Sequence, residues 1–145
     1  ICRELGNKQD LIAALGNQSA VYLTRRDLDR ALPLVTECEQ LCREIGSLRQ
    51  LSTTLSNKAA ILGEKGRFEE ALKVYEDMEK VCRQISQVDN LALCLTNQAV
   101  TIYQGRLGSP TLVHQKLSQA LELAQSHGFN RLATQITTLM GQLFQ

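Results

Sequence analysis

Apolar residues recur along the whole chain at helical spacing. Leu48, Leu51, Leu55, Ala59 and Leu62 follow an i, i+3, i+4 progression and make one stripe. Gly66 interrupts it, and Phe68, Ala71, Leu72, Tyr75, Met78, Val81, Cys82 and Ile85 begin a second. Gly6 and Gly46 stand just past such stripes, where a left-handed C-cap residue ends a helix. The pattern predicts helices at about 8–24, 27–45, 48–65, 68–86, 88–104, 110–126 and 129–143. Residues 1–5 read as the tail of a helix that starts upstream, and Ile1 in place of Met suggests a fragment of a longer chain.

The stripes themselves repeat. Cys2-Arg3-Glu4-Leu5-Gly6 returns 40 residues later as Cys42-Arg43-Glu44-Ile45-Gly46, and 40 later again as Cys82-Arg83-Gln84-Ile85-Ser86. Leu15, Leu55 and Leu95 keep the same register, as do Asn17, Asn57 and Asn97, Ala31 and Ala71, and Leu32 and Leu72. So many matches in one register make the chain a tandem array with two helices per period. The organisation expected is a single repeat domain over 1–145, with a partial unit at 1–6, units at about 7–46, 47–86 and 87–128, and a terminal helix at about 129–143. The third unit departs from its predecessors. A longer connection, Gln-Gly-Arg-Leu-Gly-Ser-Pro, follows Tyr103, then Ser109 offers an N-cap and Pro110 a first helical position. Val113 stands where Ala31 and Ala71 stood, which predicts a helix pair pushed apart or tilted.

The central unit resembles a tetratricopeptide repeat, with Leu55, Ala59, Leu62, Gly66, Phe68, Ala71, Tyr75 and Met78 at that family's signature offsets. The period of 40 exceeds the family's usual length of about 34. With Arg-Glu-Leu-Gly-Asn-Lys between units and Leu-Gly-Asn-Gln opening a helix, it is similar to arrays in bacterial multidomain signalling proteins, kinesin light chains and Leu-Gly-Asn repeat adaptors. The resemblance implies an all-α fold, a right-handed superhelical α-solenoid of antiparallel helix pairs whose first helices line a concave groove. Two departures stand out. The family's first-helix aromatic is leucine in the central unit, and its usual Leu beside the Gly/Ala position is Gln18, Lys58 or Gln98.

On a helical wheel, Thr53, Ser56, Asn57, Ala60, Gly63 and Glu64 lie opposite the apolar stripe. Their counterparts are Ala13, Gly16, Asn17, Ala20, Leu23 and Thr24 before, and Leu93, Thr96, Asn97, Val100, Tyr103 and Gln104 after. In the resembled family such positions face the groove. Small residues leave room for a chain to lie close, and an asparagine amide offers an acceptor and two donors to a ligand peptide unit. Asn17, Asn57 and Asn97 are therefore the foremost candidates, with three roles open: ligand contact, bonding between neighbouring units, or plain exposure. Glu64 is the one charged residue among these positions, Lys58 stands at the groove edge, and Tyr22 and Tyr103 are placed either to flank it or to join the core.

Composition narrows the function classes. Sixteen Lys+Arg against fifteen Asp+Glu, intermixed, make no basic stripe for a phosphate backbone, so no nucleic-acid partner is expected. No apolar run reaches the ~18–20 residues of a membrane span. Five cysteines without paired metal knuckles read as buried small hydrophobes in a reducing, cytoplasmic setting, with no metal and no cofactor. Gly105-Arg106-Leu107-Gly108 lacks the Lys-Ser/Thr of a phosphate loop, and Cys94 with His114 is the only conceivable nucleophile pair, so no enzyme is expected. His127-Gly128 reads as a helix C-cap. Glu39 with Arg43, Glu69 with Lys73 and Glu76 with Lys80 are i, i+4 pairs assigned to a solvated convex face. The function expected is a protein–protein interaction scaffold that takes an extended peptide or partner segment on the concave face. The alternative is a structural spacer or self-association array within a larger signalling protein. Ile1 in place of Met and the apolar C-terminal stripe Leu132, Ile136, Leu139, Leu143 and Phe144 both favour continuation of the array or end-to-end stacking.

Overall fold

The structure, a computed structural model, describes residues 2–144. Among them are seven helices and no strand: α1 (Cys2–Thr24), α2 (Leu28–Ile45), α3 (Leu48–Glu64), α4 (Phe68–Gln84), α5 (Val88–Gly105), α6 (Pro110–Ser126) and α7 (Asn130–Leu143). Each packs on the next, and α3 also touches α5. The result is a solenoid in which odd-numbered helices are the first, and even-numbered the second, of successive pairs.

Six of the seven predicted spans agree with these helices to within two residues. The exception is the first. Gly6 does not cap a helix, α1 runs through it from Cys2, and Leu15-Gly16-Asn17-Gln18 lies inside α1 instead of opening a helix. Gly6 stays in helical geometry, at the roughly 1 kcal/mol that an interior glycine costs.

Left-handed turn residues recur in the repeat register. Gly46, Ser86 and Gly128 close second helices, while Arg26, Gly66 and Arg106 close first helices. The non-glycine members hold φ of +62°, +54° and +53°, where a Cβ crowds the backbone. Ser86→Gly is accordingly expected to raise stability by about 0.5–1 kcal/mol, read as a higher melting midpoint. An unchanged or lower midpoint would count against strain at this turn. Ser109 caps α6 as expected, accepting from the Leu112 amide at 3.2 Å, with Pro110 in the first turn. His127 closes α6, its Nδ1 lying 3.0 Å from the Leu123 carbonyl.

Packing follows rows of equivalent positions. Ala31, Ala71 and Val113 are all buried where paired helices cross. The bulk of Val113 is offset two and three turns on, because Met78 and Cys82 of α4 are matched by Ala120 and Ala124 of α6, all buried. One apolar cluster runs from Ile12 to Ile136, and a smaller one joins Ala31, Val35 and Ile61.

Candidate functional site

The predicted groove positions share one outward side. Ala13, Asn17, Ala20, Thr53, Asn57, Ala60, Glu64, Leu93, Tyr103 and Gln104 are exposed, and Asn97 and Val100 are half-buried. Their exposure follows from position opposite the stripes that carry Leu15, Leu55 and Leu95 into the core. Two clefts open on this side. One, of about 560 Å³, lies between α3 and α5 and is lined by Ala60, Gly63, Glu64, Asn97, Val100, Thr101 and Gln104, with Phe68 and Tyr75 of α4 behind. The other, of about 480 Å³, lies between α5 and α7, where Leu93, Thr96, Asn97 and Val100 face Leu132, Thr138, Leu139 and Gln142. Asn97 and Val100 line both.

No side-chain hydrogen bond is made by Asn17, Asn57 or Asn97 among the described residues. Polar links between units are made one residue later. Lys58 Nζ donates to Glu39 Oε1 of α2 at 2.8 Å, and Gln98 Nε2 donates to Glu79 Oε1 of α4 at 2.8 Å. These two bonds are equivalent under the 40-residue repeat. Gln98 Nε2 also reaches the Tyr75 carbonyl at 3.3 Å, beside the Cys94 thiol, which donates to the same oxygen at 3.0 Å. Lys58 is thus held in a seam between units and does not stand free at a groove edge.

The same seam revises the reading of the charged pairs. Glu39 binds Arg43 at 2.9 Å, yet it is half-buried against α3 and is not a solvated convex residue. Burial opposes its ionisation most, but hydrogen bonds from Lys58 and Arg43 and their charges prevail and hold its carboxyl below the ordinary range. Glu79 is lowered in the same way, by Gln98 and Arg83 against its own burial. Glu69 with Lys73 and Glu76 with Lys80 are exposed and form no ion pair among the described residues. Glu64 lies 3.6 Å from Arg26, and Lys65 pairs with Asp29, so the C-terminal turn of α3 is tied to the preceding α1–α2 turn. Of the two roles open to Tyr22, the structure gives the core one. Tyr22 is half-buried in the small cluster, with the Arg30 guanidinium 5.8 Å from its ring centre.

The C-terminal stripe packs inward in part. Ile136 is fully buried, and Leu132, Leu139, Met140 and Leu143 are half-buried against the main cluster. Thr134, Thr137 and Gly141 are exposed. Phe144 stays partly exposed with its ring edge-on to His114 at 5.5 Å.

Cys38, Cys42, Cys82 and Cys94 are buried free thiols; Cys2 lies outside the residues whose side chains are described. Desolvation pushes Cys82 up to about 11 and Cys94 up to about 12, which suppresses the nucleophilic thiolate. Exposed His114 lies 3.4 Å from Ser118, while Cys94 is sealed against α4. Among the described residues no group of three metal-ligating side chains is placed to hold an ion, and no helix is long and apolar enough to cross a membrane.

No family model matches the chain, and no curated protein matches its sequence. Among solved structures, the crystal structure of BtubC (BKLC) from P. vanneervenii is similar, with a TM-score of 0.79 at 20% identity. The likeness covers 99% of this chain and 62% of that one. The chain is a helical repeat array. Its length is matched throughout by the neighbour's fold, while the chain itself spans less than two thirds of that protein.

Proposed function

We propose that the chain is a tetratricopeptide-type scaffold that binds an extended segment of a protein partner across its first helices. One observation carries the reading: Asn97 borders both adjoining clefts and its amide is unengaged among the described residues. A peptide backbone passing from one cleft to the other crosses that amide, which can accept from one peptide unit and donate to it. Side-chain choice then follows from the clefts. The α5–α7 cleft is lined by Leu93, Val100, Leu132 and Leu139 and suits an apolar anchor. The α3–α5 cleft has small walls and the Glu64 carboxylate, which suits a small or cationic residue. No Lys or Arg lines either cleft, so an acidic terminus is not favoured. This is a binding role without catalysis, and the buried thiols suit a reducing, cytoplasmic compartment.

Selection of random dodecapeptides on the intact chain supplies the probe. Selected peptides should share an apolar anchor, and Asn97→Ala should weaken them about tenfold, a typical hydrogen-bond loss. Its melting midpoint should stay unchanged, because Asn97 links no units. A lowered midpoint with full binding would remove the ligand role. A second reading, association through the ends, is favoured by apolar side chains exposed there, Leu11 and Val21 of α1 and Phe144 after α7.

A further inference from the structure

The α3–α5 cleft is charged in one sense. Glu64 is the one charged residue among those lining it, and no lysine or arginine of the cleft answers it. Its partner is Arg26 of the preceding turn, 3.6 Å away on a side chain that is 76% exposed. An exposed pair of this kind is weak and readily exchanged. At the back of the cleft, Tyr75 is 6% exposed, and its hydroxyl makes no hydrogen bond among the described residues. A buried tyrosine ordinarily finds a partner for that group. Desolvation pushes its pKa up to about 12, so the phenol keeps its proton and remains a donor. Helices α1 and α2 precede the cleft and α6 and α7 follow it, while α3 and α5 already pack on α2, α4 and α6. Both walls of the cleft are therefore complete.

Resting on the peptide-binding reading of the clefts, we propose that the bound segment is basic. Where its backbone crosses Asn97, a lysine or arginine turns along the α3–α5 cleft, displaces Arg26 and pairs with Glu64. The Tyr75 hydroxyl donates to a backbone carbonyl of the same segment. Reach favours these two side chains. Asn97 and Gln104 are seven residues apart on α5, about 10 Å along its axis. Gln104 is level with Glu64 in the 40-residue register. Helical side chains lean toward the N-terminus, so the Glu64 carboxylate shortens that span to one that a long cationic stem covers. Ala60, Gly63 and Val100 give the stem a small apolar bed. Arg26 shows the contact already made within the chain, a guanidinium beside the same carboxylate.

Random dodecapeptides selected on the intact chain, and then titrated by calorimetry, are the probe. Peptides that lose affinity on Asn97→Ala should carry a lysine or arginine at a fixed distance from the apolar anchor. Glu64→Gln should weaken them about tenfold, the loss of a charge-assisted bond. Arg26→Gly frees Glu64 and should tighten them about two- to fivefold. Tyr75→Phe should weaken them about fivefold without lowering the melting midpoint, because the hydroxyl holds nothing in the free protein. Selection on a Glu64→Lys chain should return Asp or Glu at the same place, which a merely structural Glu64 would not produce. Glu64 is exposed, so both of its variants should melt close to the unaltered chain. Asn97-dependent peptides that lack a cation, or that are indifferent to Glu64→Gln or to Tyr75→Phe, would overturn this proposal and leave the cleft reading standing. Failure to select any Asn97-dependent peptide would overturn both.

Discussion

Gln98→Leu alone is expected to lower the unfolding free energy by about 1–3 kcal/mol, and Glu79→Leu/Gln98→Leu together to recover most of that loss. Gln98 is fully buried and places its amide 2.8 Å from the Glu79 carboxylate. Leucine removes that donor and strips water from the half-buried carboxylate, leaving Arg83 as its remaining partner at 3.0 Å. Tyr75 keeps the Cys94 thiol on its carbonyl, so the loss concentrates on Glu79. The double variant removes the carboxylate as well. It also removes a cost already present, because Gln98 Oε1 is buried without a hydrogen-bond partner. The chain contains a precedent for an apolar seam. One unit further on, with the two-residue insertion counted, these positions are Leu121 and Met140, both packed against the core cluster. Equilibrium urea unfolding of the two variants is the measurement. A double variant no more stable than Gln98→Leu would show that the polar bond is not the reason for the loss.

Gly105→Ala is expected to cost about 1–3 kcal/mol, the usual penalty for forcing volume into a packed site. A Cβ there would stand 2.6 Å from Phe68 Cβ and 3.0 Å from its Cγ. Those atoms form the root of the phenylalanine side chain, which the start of α4 fixes, so relief requires moving the end of α5. Alanine's better helix propensity, about 1 kcal/mol, acts in the opposite direction and is outweighed. Gly16→Ala is the control, since a Cβ there meets nothing within 4 Å and the position is interior to α1. It should stabilise by about 0.5–1 kcal/mol. If both alanines stabilise alike in thermal melts, the contact with Phe68 is not a constraint. Equivalent positions carry Arg25 and Lys65, so the glycine reflects how closely α5 ends against α4 and not a general feature of the repeat.

Much of the fold is legible in the sequence. Helical hydrogen bonds close within a few residues, so an i, i+3, i+4 pattern and a glycine turn declare a helix without knowledge of anything distant. The 40-residue register then locates equivalent residues, and the outward side of the first helices follows from the wheel alone. The candidate site is less legible. Asn57 and Lys58 differ by one position, and both lie away from the main apolar stripe. Only the placement of α2 shows that Lys58 is clasped by Glu39 while Asn57 stays exposed. The same holds one unit later, where Gln98, an apparent defect in the family pattern, is the residue that joins units.

What the sequence determined by itself is therefore periodic and local: seven helices, their pairing into units, the capping turns, the buried thiols. Tertiary structure decided what each unit does with its neighbours. It set Gln98 and Lys58 in the seams against the preceding unit, packed Ile136 into the core, and left Asn57 exposed. The physical reason is that an apolar face is the same whether it is buried or bare. Its fate depends on whether another helix arrives, and that information lies outside the helix that bears the face.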